Sequence, residues 1–397
     1  MSNIQYHEVF PENVLTSYGE FDNVDFVMTY EGRKLQLNSI RILFDIEITP
    51  AGANLINIQS NPDLYFDGKV GAHGVIDSII SSVDGAVIEN MTSYGRLVSM
   101  KTKATTNPNE MNTSSNSCQG KVLNDRLTRN LLAGVPAGLY TPNVDATTTN
   151  YLTSIVTPFN VAVKPDFCLN NAFSDSGGLP LISFRKSGVI QVSLRLARNY
   201  SFLYGENAQG ASYALKNLRM TYISRLDDGS DDTLSMRSVV GLKQSMASDY
   251  ANIQAIVPAV CNAVSVSVQP QDQENQSRWN NYQLHKVPLF KQVQYLFNDS
   301  TNQYLTFILK SEPESIERYI DSFRSTGMNS ASLTNLRANL AYGLGLHFGS
   351  YVPLMNQKFN IQLTSGIGQS VVPVGHTNAG TARSWIAYMY FHTLISM

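Results

Sequence analysis

Apolar and polar residues alternate with a period of two along several stretches of the chain, and this pattern limits the folds open to it. Successive side chains of a β-strand point to opposite faces, so a strand with one buried face is apolar at every second position. Residues 39–48 and 189–198 show this pattern over about nine positions each. The pattern recurs at 218–222, 264–268 and 359–363. The sequence therefore predicts an all-β protein.

One stretch predicts a β-hairpin followed by an amphipathic segment. Asp84-Gly85 lies between two apolar runs. Asp-Gly in that position is a strong hairpin signal, because both central residues of a type I′ turn need a positive φ. Tyr94, Leu97 and Met100 then mark the apolar face of the segment that follows.

Helical periodicity is rare. Leucines spaced by three or four residues predict one short amphipathic helix well inside each half of the chain, at Leu123, Leu127 and Leu131 and at Leu333, Leu336, Leu340 and Leu344. Long loops of low charge are expected at 102–119, 140–158 and 269–279. Loops of this length are usually functional or disordered.

The order of these patterns predicts two β units in tandem. We expect an N-terminal arm at 1–22, a first unit at 23–226, a linker at 227–249 that begins with an acidic turn, and a second unit at 250–397. In the last strand both faces are apolar, which is typical of a strand covered on both sides. One face holds Trp385, Ala387, Met389 and Phe391, and the other holds Ile386, Tyr388 and Tyr390. This strand is expected to lie between two sheets or two barrels.

Charge and cysteine content exclude several classes of function. Charged residues make up only 15% of the chain, against about 25% in a typical soluble protein, a composition that suits dense assembly and also many secreted β proteins. The net charge is −2 and no basic run occurs, so we expect no direct nucleic-acid partner. Cys118, Cys168 and Cys261 lie far apart, which excludes a metal knuckle or a redox Cys-x-x-Cys motif and favours a reducing compartment.

No stretch has the pattern of a secretory signal or of a membrane span. The N-terminal residues lack a basic region followed by an apolar one, and no apolar run reaches the ~20 residues that cross a bilayer. We therefore expect a chain without a signal peptide.

No catalytic, cofactor-binding or metal-ligating residue is predicted. The chain has no Gly-x-Ser-x-Gly elbow, no phosphate-binding Gly-rich loop and no complete dinucleotide fingerprint. Its six histidines are scattered. The acidic turn at 227–232 does not fit a calcium-binding EF-hand loop, and a solvated linker is favoured over an ion site. The chain is therefore expected not to be an enzyme.

Three stretches resemble the major capsid proteins of virophages and polinton-like viruses. The first stretch, 64–100, carries Val87-Ile88-Glu89 and then Ser93-Tyr94. The second stretch, 173–200, carries Pro180-Leu181-Ile182 before a strand of alternating leucines. The third stretch is 383–397. This resemblance implies the double jelly-roll fold, with two tandem eight-stranded jelly-roll barrels and short inserted helices.

The resemblance also implies a function. Three copies would form a homotrimeric, pseudo-hexameric capsomer, and capsomers would tile an icosahedral shell. The implied partners are neighbouring capsomers, penton and minor capsid proteins, with a possible internal membrane beneath the shell. The implied location is the virion, after synthesis in the host cytoplasm, and the long loops would form towers or inter-subunit contacts.

Two other hypotheses remain open from the sequence. The chain could be a two-domain β-sandwich adhesin or viral spike protein that binds glycans, although no secretory signal supports this. It could also be a β-jelly-roll hydrolase, although no paired carboxylates or histidine cluster support a reaction centre.

Overall fold

The computed structural model describes residues 3–29, 32–49, 56–57, 65–106, 118–121, 151–152, 159–184, 188–205, 208–230, 233–246, 250–284, 290–298, 307–309, 312–324, 343–365 and 385–397. The strands of the first half are β1 Ile4–Val9, β2 Asn23–Met28, β3 Arg33–Thr49, β4 Ile56–Asn57, β5 Tyr65–Phe66, β6 Ile76–Val83, β7 Ala86–Met91, β8 Tyr151–Leu152, β9 Phe159–Val163, β10 Ala172–Ser174, β11 Leu181–Ser183, β12 Ile190–Leu196, β13 Leu203–Tyr204 and β14 Ser212–Leu226. Those of the second half are β15 Leu234–Met246, β16 Tyr250–Ile256, β17 Cys261–Pro270, β18 Phe290–Phe297, β19 Phe307–Leu309, β20 Leu344–Val352, β21 Lys358–Ser365 and β22 Trp385–Ser396.

Helices are few and short. The α-helices are α1 Tyr94–Thr105, α2 Asn199–Phe202 and α3 Glu312–Asp321, and single 3₁₀ turns occur at Gly71–Val75, Cys168–Asn170 and Gln271–Gln273. Among the described residues, no helix is long and apolar enough to cross a membrane.

The first barrel consists of two antiparallel sheets that enclose one apolar core. One sheet has the order β1-β14-β3-β11, with β9 also paired to β3, and the other has the order β2-β12-β6-β7. The alternating residues predicted from the sequence fill this core: Ile40, Ile42, Phe44, Ile46 and Ile48 of β3 and Ile190, Val192, Leu194 and Leu196 of β12 are all buried. The expected half-buried strands are therefore confirmed here.

The hairpin between β6 and β7 has the predicted turn. Asp84 and Gly85 both have positive φ, at 50° and 78°, as a type I′ turn requires. Val83 and Ala86 pair across it. The segment after the hairpin is α1, and the apolar side chains of Tyr94, Leu97 and Met100 are buried as predicted.

The second barrel repeats the two-sheet plan around a separate core. One sheet has the order β10-β15-β22-β17-β20 and the other has the order β16-β21-β18-β19. Strand β10 comes from the first half of the chain, so the first half contributes a strand to the second barrel. On β17 the serines that alternate with valines are buried too, because this central strand is covered on both faces.

The segment 227–249, expected to be a linker, contains the thirteen-residue strand β15. Its polar sequence shows little apolar alternation, and it forms a strand because it pairs along its length with β22, from Ser235 opposite Ser396 to Met246 opposite Trp385. The expectation of a polar linker is wrong for residues 234–246. Only the acidic turn before the strand has no regular structure among the described residues.

The N-terminal segment and the predicted helices also differ from expectation. Within the expected arm 1–22, strand β1 joins the first barrel by pairing with β14. The predicted helix at Leu123, Leu127 and Leu131 lies outside the described residues, as do Leu333, Leu336 and Leu340. Leu344 begins strand β20 rather than ending a helix.

Candidate functional site: the seam between the two barrels

Strand β22 forms the centre of the contact between the barrels. Trp385, Ala387, Met389 and Phe391 lie in the core of the second barrel, whereas Ile386, Tyr388 and Tyr390 lie in the apolar cluster that continues into the first barrel. Successive side chains of one strand thus enter two different cores. The prediction that this strand is covered on both faces is confirmed. We call this contact region the seam.

Tyr282 anchors the second half of the chain in the first barrel. Its hydroxyl donates a 2.7 Å hydrogen bond to the carbonyl of Gly74, and its ring lies against Gly74 and Gly95. A Cβ added at Gly95 would lie 2.6 Å from the ring carbon Cζ of Tyr282. The two glycines therefore leave the space that the ring occupies.

Hydrogen bonds from neighbouring residues hold the same segment in place. The Asn280 amide donates to Asp67 Oδ2 at 2.9 Å and the Asn281 amide donates to the carbonyl of Tyr200 at 2.6 Å. Ser99 of α1 donates to the carbonyl of Tyr282 at 2.6 Å. The expected loop 269–279 and the residues after it thus pack on the first barrel of the same chain. Gln271, Asp272 and Trp279 of the loop are exposed, and the expectation that the loop forms towers or inter-subunit contacts stays a prediction.

Helix α3 adds a second contact from the second half of the chain. Ile316, Tyr319 and Phe323 are fully buried in the cluster of the first barrel, and the Tyr319 hydroxyl donates to the carbonyl of Met100 at 3.1 Å. This helix was not predicted from the sequence. Its signal was the spacing of Ile316, Tyr319, Ile320 and Phe323, which places apolar side chains on one helical face.

A buried carboxylate links the hairpin of the first barrel to strand β15. Glu89 accepts hydrogen bonds from Ser238 Oγ at 2.6 Å, from the backbone N–H of Cys168 at 2.8 Å and from the backbone N–H of Val239 at 3.3 Å. Burial raises the pKa of Glu89 to about 7, although these hydrogen bonds oppose the rise. The group is satisfied by structural partners.

A second buried polar group lies beside α1. The Tyr94 hydroxyl donates to His73 Nδ1 at 2.7 Å, and His73 Nε2 donates to Gln119 Oε1 at 2.6 Å, because an amide oxygen can only accept. Burial lowers the pKa of His73 to about 3, so the ring is neutral near pH 7. Both ring nitrogens are used, which leaves the ring no base function.

Asp166 is linked to this histidine network, because its backbone N–H donates to the Tyr94 hydroxyl at 2.9 Å. It accepts two hydrogen bonds from Lys101, at 2.8 Å and 2.7 Å, and one from Asn171 at 2.7 Å. Burial acts to raise the pKa of Asp166, but Lys101 and Asn171 lower it to about 2. The carboxylate is therefore ionised and engaged in an ion pair.

The acidic turn is paired with a lysine of the first barrel. Lys34 Nζ lies 2.5 Å from Asp228 Oδ1 and 2.9 Å from Ser230 Oγ, and Ser183 donates to Asp227 at 2.7 Å. The last two residues of the turn lie outside the described residues. Across the part of the chain that the structure describes, no three His, Cys, Asp or Glu side chains meet in a metal-binding group.

The N-terminal segment presents an exposed apolar surface. Tyr6, Phe10 and Val14 are 78%, 61% and 80% exposed, and Ile4, Leu15 and Phe21 are also exposed. Strand β1 pairs only with β14 within the described sheets, so it lies at a sheet edge. We call this region, residues 4–15, the N-terminal stripe.

Three viral proteins of known structure are similar over nearly the whole chain. The PBCV-1 protein VP54, in a crystal structure fitted into a cryo-EM reconstruction of the virophage Sputnik, has a TM-score of 0.55 at 10% identity and covers 99% of this chain and 94% of that chain. The Faustovirus major capsid protein has a TM-score of 0.51 at 10% identity, over 99% and 90%. The mavirus major capsid protein has a TM-score of 0.50 at 9% identity, over 99% and 90%.

These similarities show the fold, which is the all-β double jelly roll of viral major capsid proteins. The sequence-based expectation of two tandem jelly-roll barrels is confirmed. Neither the family models nor the curated proteins contain a match to the sequence.

Proposed function

We propose that this chain is a viral major capsid protein. One observation carries the proposal: the double barrel corresponds to the mavirus and Faustovirus major capsid proteins over 99% of this chain and 90% of each of theirs. The buried polar groups of the seam support a structural role, because Glu89, His73 and Asp166 are each engaged by partners within the chain. We accordingly propose a protein that is not an enzyme.

The proposed assembly unit is a homotrimer whose six barrels form a pseudo-hexameric capsomer, and these capsomers would tile an icosahedral shell. The N-terminal stripe supports self-association, because exposed apolar patches at a sheet edge mark interaction surfaces. The seam also supports it, since a chain whose two barrels are locked together can present fixed flanks to its neighbours. Penton and minor capsid proteins, a virion location and a membrane beneath the shell remain part of this proposal.

We propose barrel boundaries at 4–226 and 234–397 in place of the expected 23–226 and 250–397, because β1 pairs within the first barrel and β15 within the second. Two exchanges cross these boundaries. Strand β10 belongs to the second barrel, and the segment around Tyr282 packs on the first. Each half therefore contributes residues to the other, which favours two barrels that fold as one unit.

The test is the mass and shape of the purified full chain. We expect light scattering to give three times 43.9 kDa and negative-stain images to show hexagonal outlines. The triple variant Tyr6→Ser, Phe10→Ser, Val14→Ser is expected to yield a folded monomer, because it removes the apolar stripe. Val87→Ser, an equally exposed apolar site on the hairpin at 63% exposure, serves as the control and should leave the trimer intact.

A folded wild-type chain that stays monomeric across the concentration range would contradict the proposed capsomer. A triple variant that remains trimeric would show that the N-terminal stripe is not the trimer contact.

A further inference from the structure

A cavity of about 280 Å³ opens at the seam, beside the start of α1. Its charged lining residues are Arg96, Arg195, Arg198, Lys243, Asp77 and Glu274. Four cations face two carboxylates, so the lining carries an excess of two positive charges. A cavity with this balance favours an anionic occupant.

Arg96 is the most deeply buried of these cations, at 3% exposure. Its Nη2 donates to Gln269 and to the carbonyl of Asn281, and its guanidinium carbon lies 4.2 Å from the centre of the Tyr388 ring. Its Nη1 is buried and has no hydrogen-bond partner within the described residues. No carboxylate pairs with Arg96 there, although a buried charge is costly unless it is paired.

The amino end of α1 adds further positive potential. Ser93 and Gly95 line the cavity, and the Ser93 side chain forms no capping hydrogen bond. The first N–H groups of a helix have no partner inside the helix, and the helix dipole places partial positive charge at this end. A small anion in the cavity would lie in the positive potential of both this end and the buried guanidinium of Arg96.

Two more guanidinium groups flank the cavity. Arg195 and Arg198 lie over the same Phe21 ring, at 5.5 Å and 5.0 Å from its centre. Asp77 is near enough to both arginines to interact electrostatically, but it forms no ion pair with either among the described residues. Their hydrogen-bond donors are therefore open to a ligand.

The remaining pair of charges is already satisfied. Lys243 donates to Glu274 Oε1, and the Tyr388 hydroxyl donates to the same oxygen at 2.8 Å. Glu274 thus neutralises Lys243 and leaves the three arginines opposite Asp77 alone.

We propose that this cavity binds one small tetrahedral oxyanion of the phosphate or sulfate class. Arginine suits such a ligand, because its planar group donates two parallel hydrogen bonds to oxyanions. Arg96 comes from α1, Arg195 from the end of β12 and Arg198 from just after that strand, and Lys243 of β15 lies beside them. This inference is independent of capsid assembly, because binding can be measured on the chain in any oligomeric state.

The test is calorimetric titration of the full chain with inorganic phosphate at constant ionic strength, alongside thermal unfolding. We expect saturable binding of one phosphate per chain and a midpoint of unfolding that rises with phosphate concentration. Sulfate should compete, and acetate should bind at least tenfold more weakly because it carries a single charge. Equal binding of acetate would overturn the assignment to the phosphate class.

The double variant Arg195→Gln, Arg198→Gln should weaken phosphate binding at least tenfold. Both side chains are exposed at the cavity rim, so the fold should persist, and near-ultraviolet circular dichroism checks this. Arg41→Gln, at an exposed position of β3 outside the cavity, is the matched control and should bind as the wild type does. Absence of saturable binding, or equal binding by the double variant, would overturn the proposal.

Discussion

Gly95 shows how one residue sets the approach of the second half of the chain to the first barrel. The Gly95→Ala variant places a methyl carbon 2.6 Å from Tyr282 Cζ, and the hydrogen bond from the Tyr282 hydroxyl to the Gly74 carbonyl holds the ring in place. We expect a loss of about 1–3 kcal/mol in the free energy of unfolding, as overpacking of a tight core produces. Urea unfolding measures it.

The control for this prediction is Gly178→Ala. At Gly178 an added Cβ meets only Ser176 Oγ, at 3.6 Å, so the free energy of unfolding should change by less than about 0.5 kcal/mol. If Gly95→Ala were equally neutral, the close packing of Tyr282 would not limit the seam.

The burial of Glu89 predicts an unusual pH dependence of the free energy of unfolding. Its pKa rises on folding from 4.5 to about 7 because of burial, so between these values the native state holds a proton that the unfolded state has lost. Its contribution to stability is therefore present at low pH and is lost as pH rises through 7. As pH rises from 5 to 8, the free energy of unfolding of Glu89→Gln should increase by about 2.5 kcal/mol relative to that of wild type.

The measurement is urea unfolding at each pH. The readout is the change in unfolding free energy with pH, because the glutamine side chain also has one hydrogen-bond acceptor fewer than glutamate, and this loss is the same at every pH. The exposed Glu12→Gln variant should run parallel to wild type. A Glu89→Gln curve that also runs parallel would mean that Glu89 is ionised in the folded protein throughout.

At the scale of elements, β22 is the strand on which both barrels depend. Phe391→Ala should lower the free energy of unfolding by about 3–5 kcal/mol through a cavity in the second core. Tyr390→Ala opens the seam instead and removes the hydrogen bond to the Ser93 carbonyl. We expect differential scanning calorimetry to resolve two transitions for Tyr390→Ala and a single one for wild type.

Ser396→Ala, at the exposed end of β22, provides the control and should keep the single transition. One transition for Tyr390→Ala at a lowered midpoint would indicate that α3 and Tyr282 couple the barrels without this ring.

Elements also differ in how well their own residues specify them. Strands β3 and β12 alternate strictly, and the hairpin turn needs two positive φ values, so local sequence was sufficient to predict them. Strand β15 was missed because its register comes from β22, more than a hundred residues away along the chain. Helix α3 was missed although its apolar spacing is visible in the sequence.

For the molecule as a whole, two buried histidines predict sensitivity to acid. Burial lowers the pKa of His73 and of His392 from 6.5 to about 3, so both are neutral when folded and take up protons on unfolding. Their contribution to stability is full above pH 6.5 and is lost as pH falls toward 3. His73→Gln and His392→Asn should each reduce the slope of unfolding free energy against pH, near pH 5, by about 1.4 kcal/mol per pH unit.

The internal control is the same slope at pH 8, where the variants should match the wild type because both histidines are neutral in either state. Unchanged slopes at pH 5 would show that these side chains reach solvent before global unfolding. Since Glu89 acts with the opposite sign in part of this range, only differences between variant and wild type are informative.

The sequence by itself determined the all-β class, the faces of the long strands and the double covering of β22, because alternation along a strand is a local property. The tertiary structure alone decided what covers each face: the exchange of β10, the insertion of Tyr282 between two glycines, and the arginines gathered around one cavity. These features depend on contacts between residues far apart in the chain. The spacing of residue types along the sequence does not specify how far apart such positions lie in space.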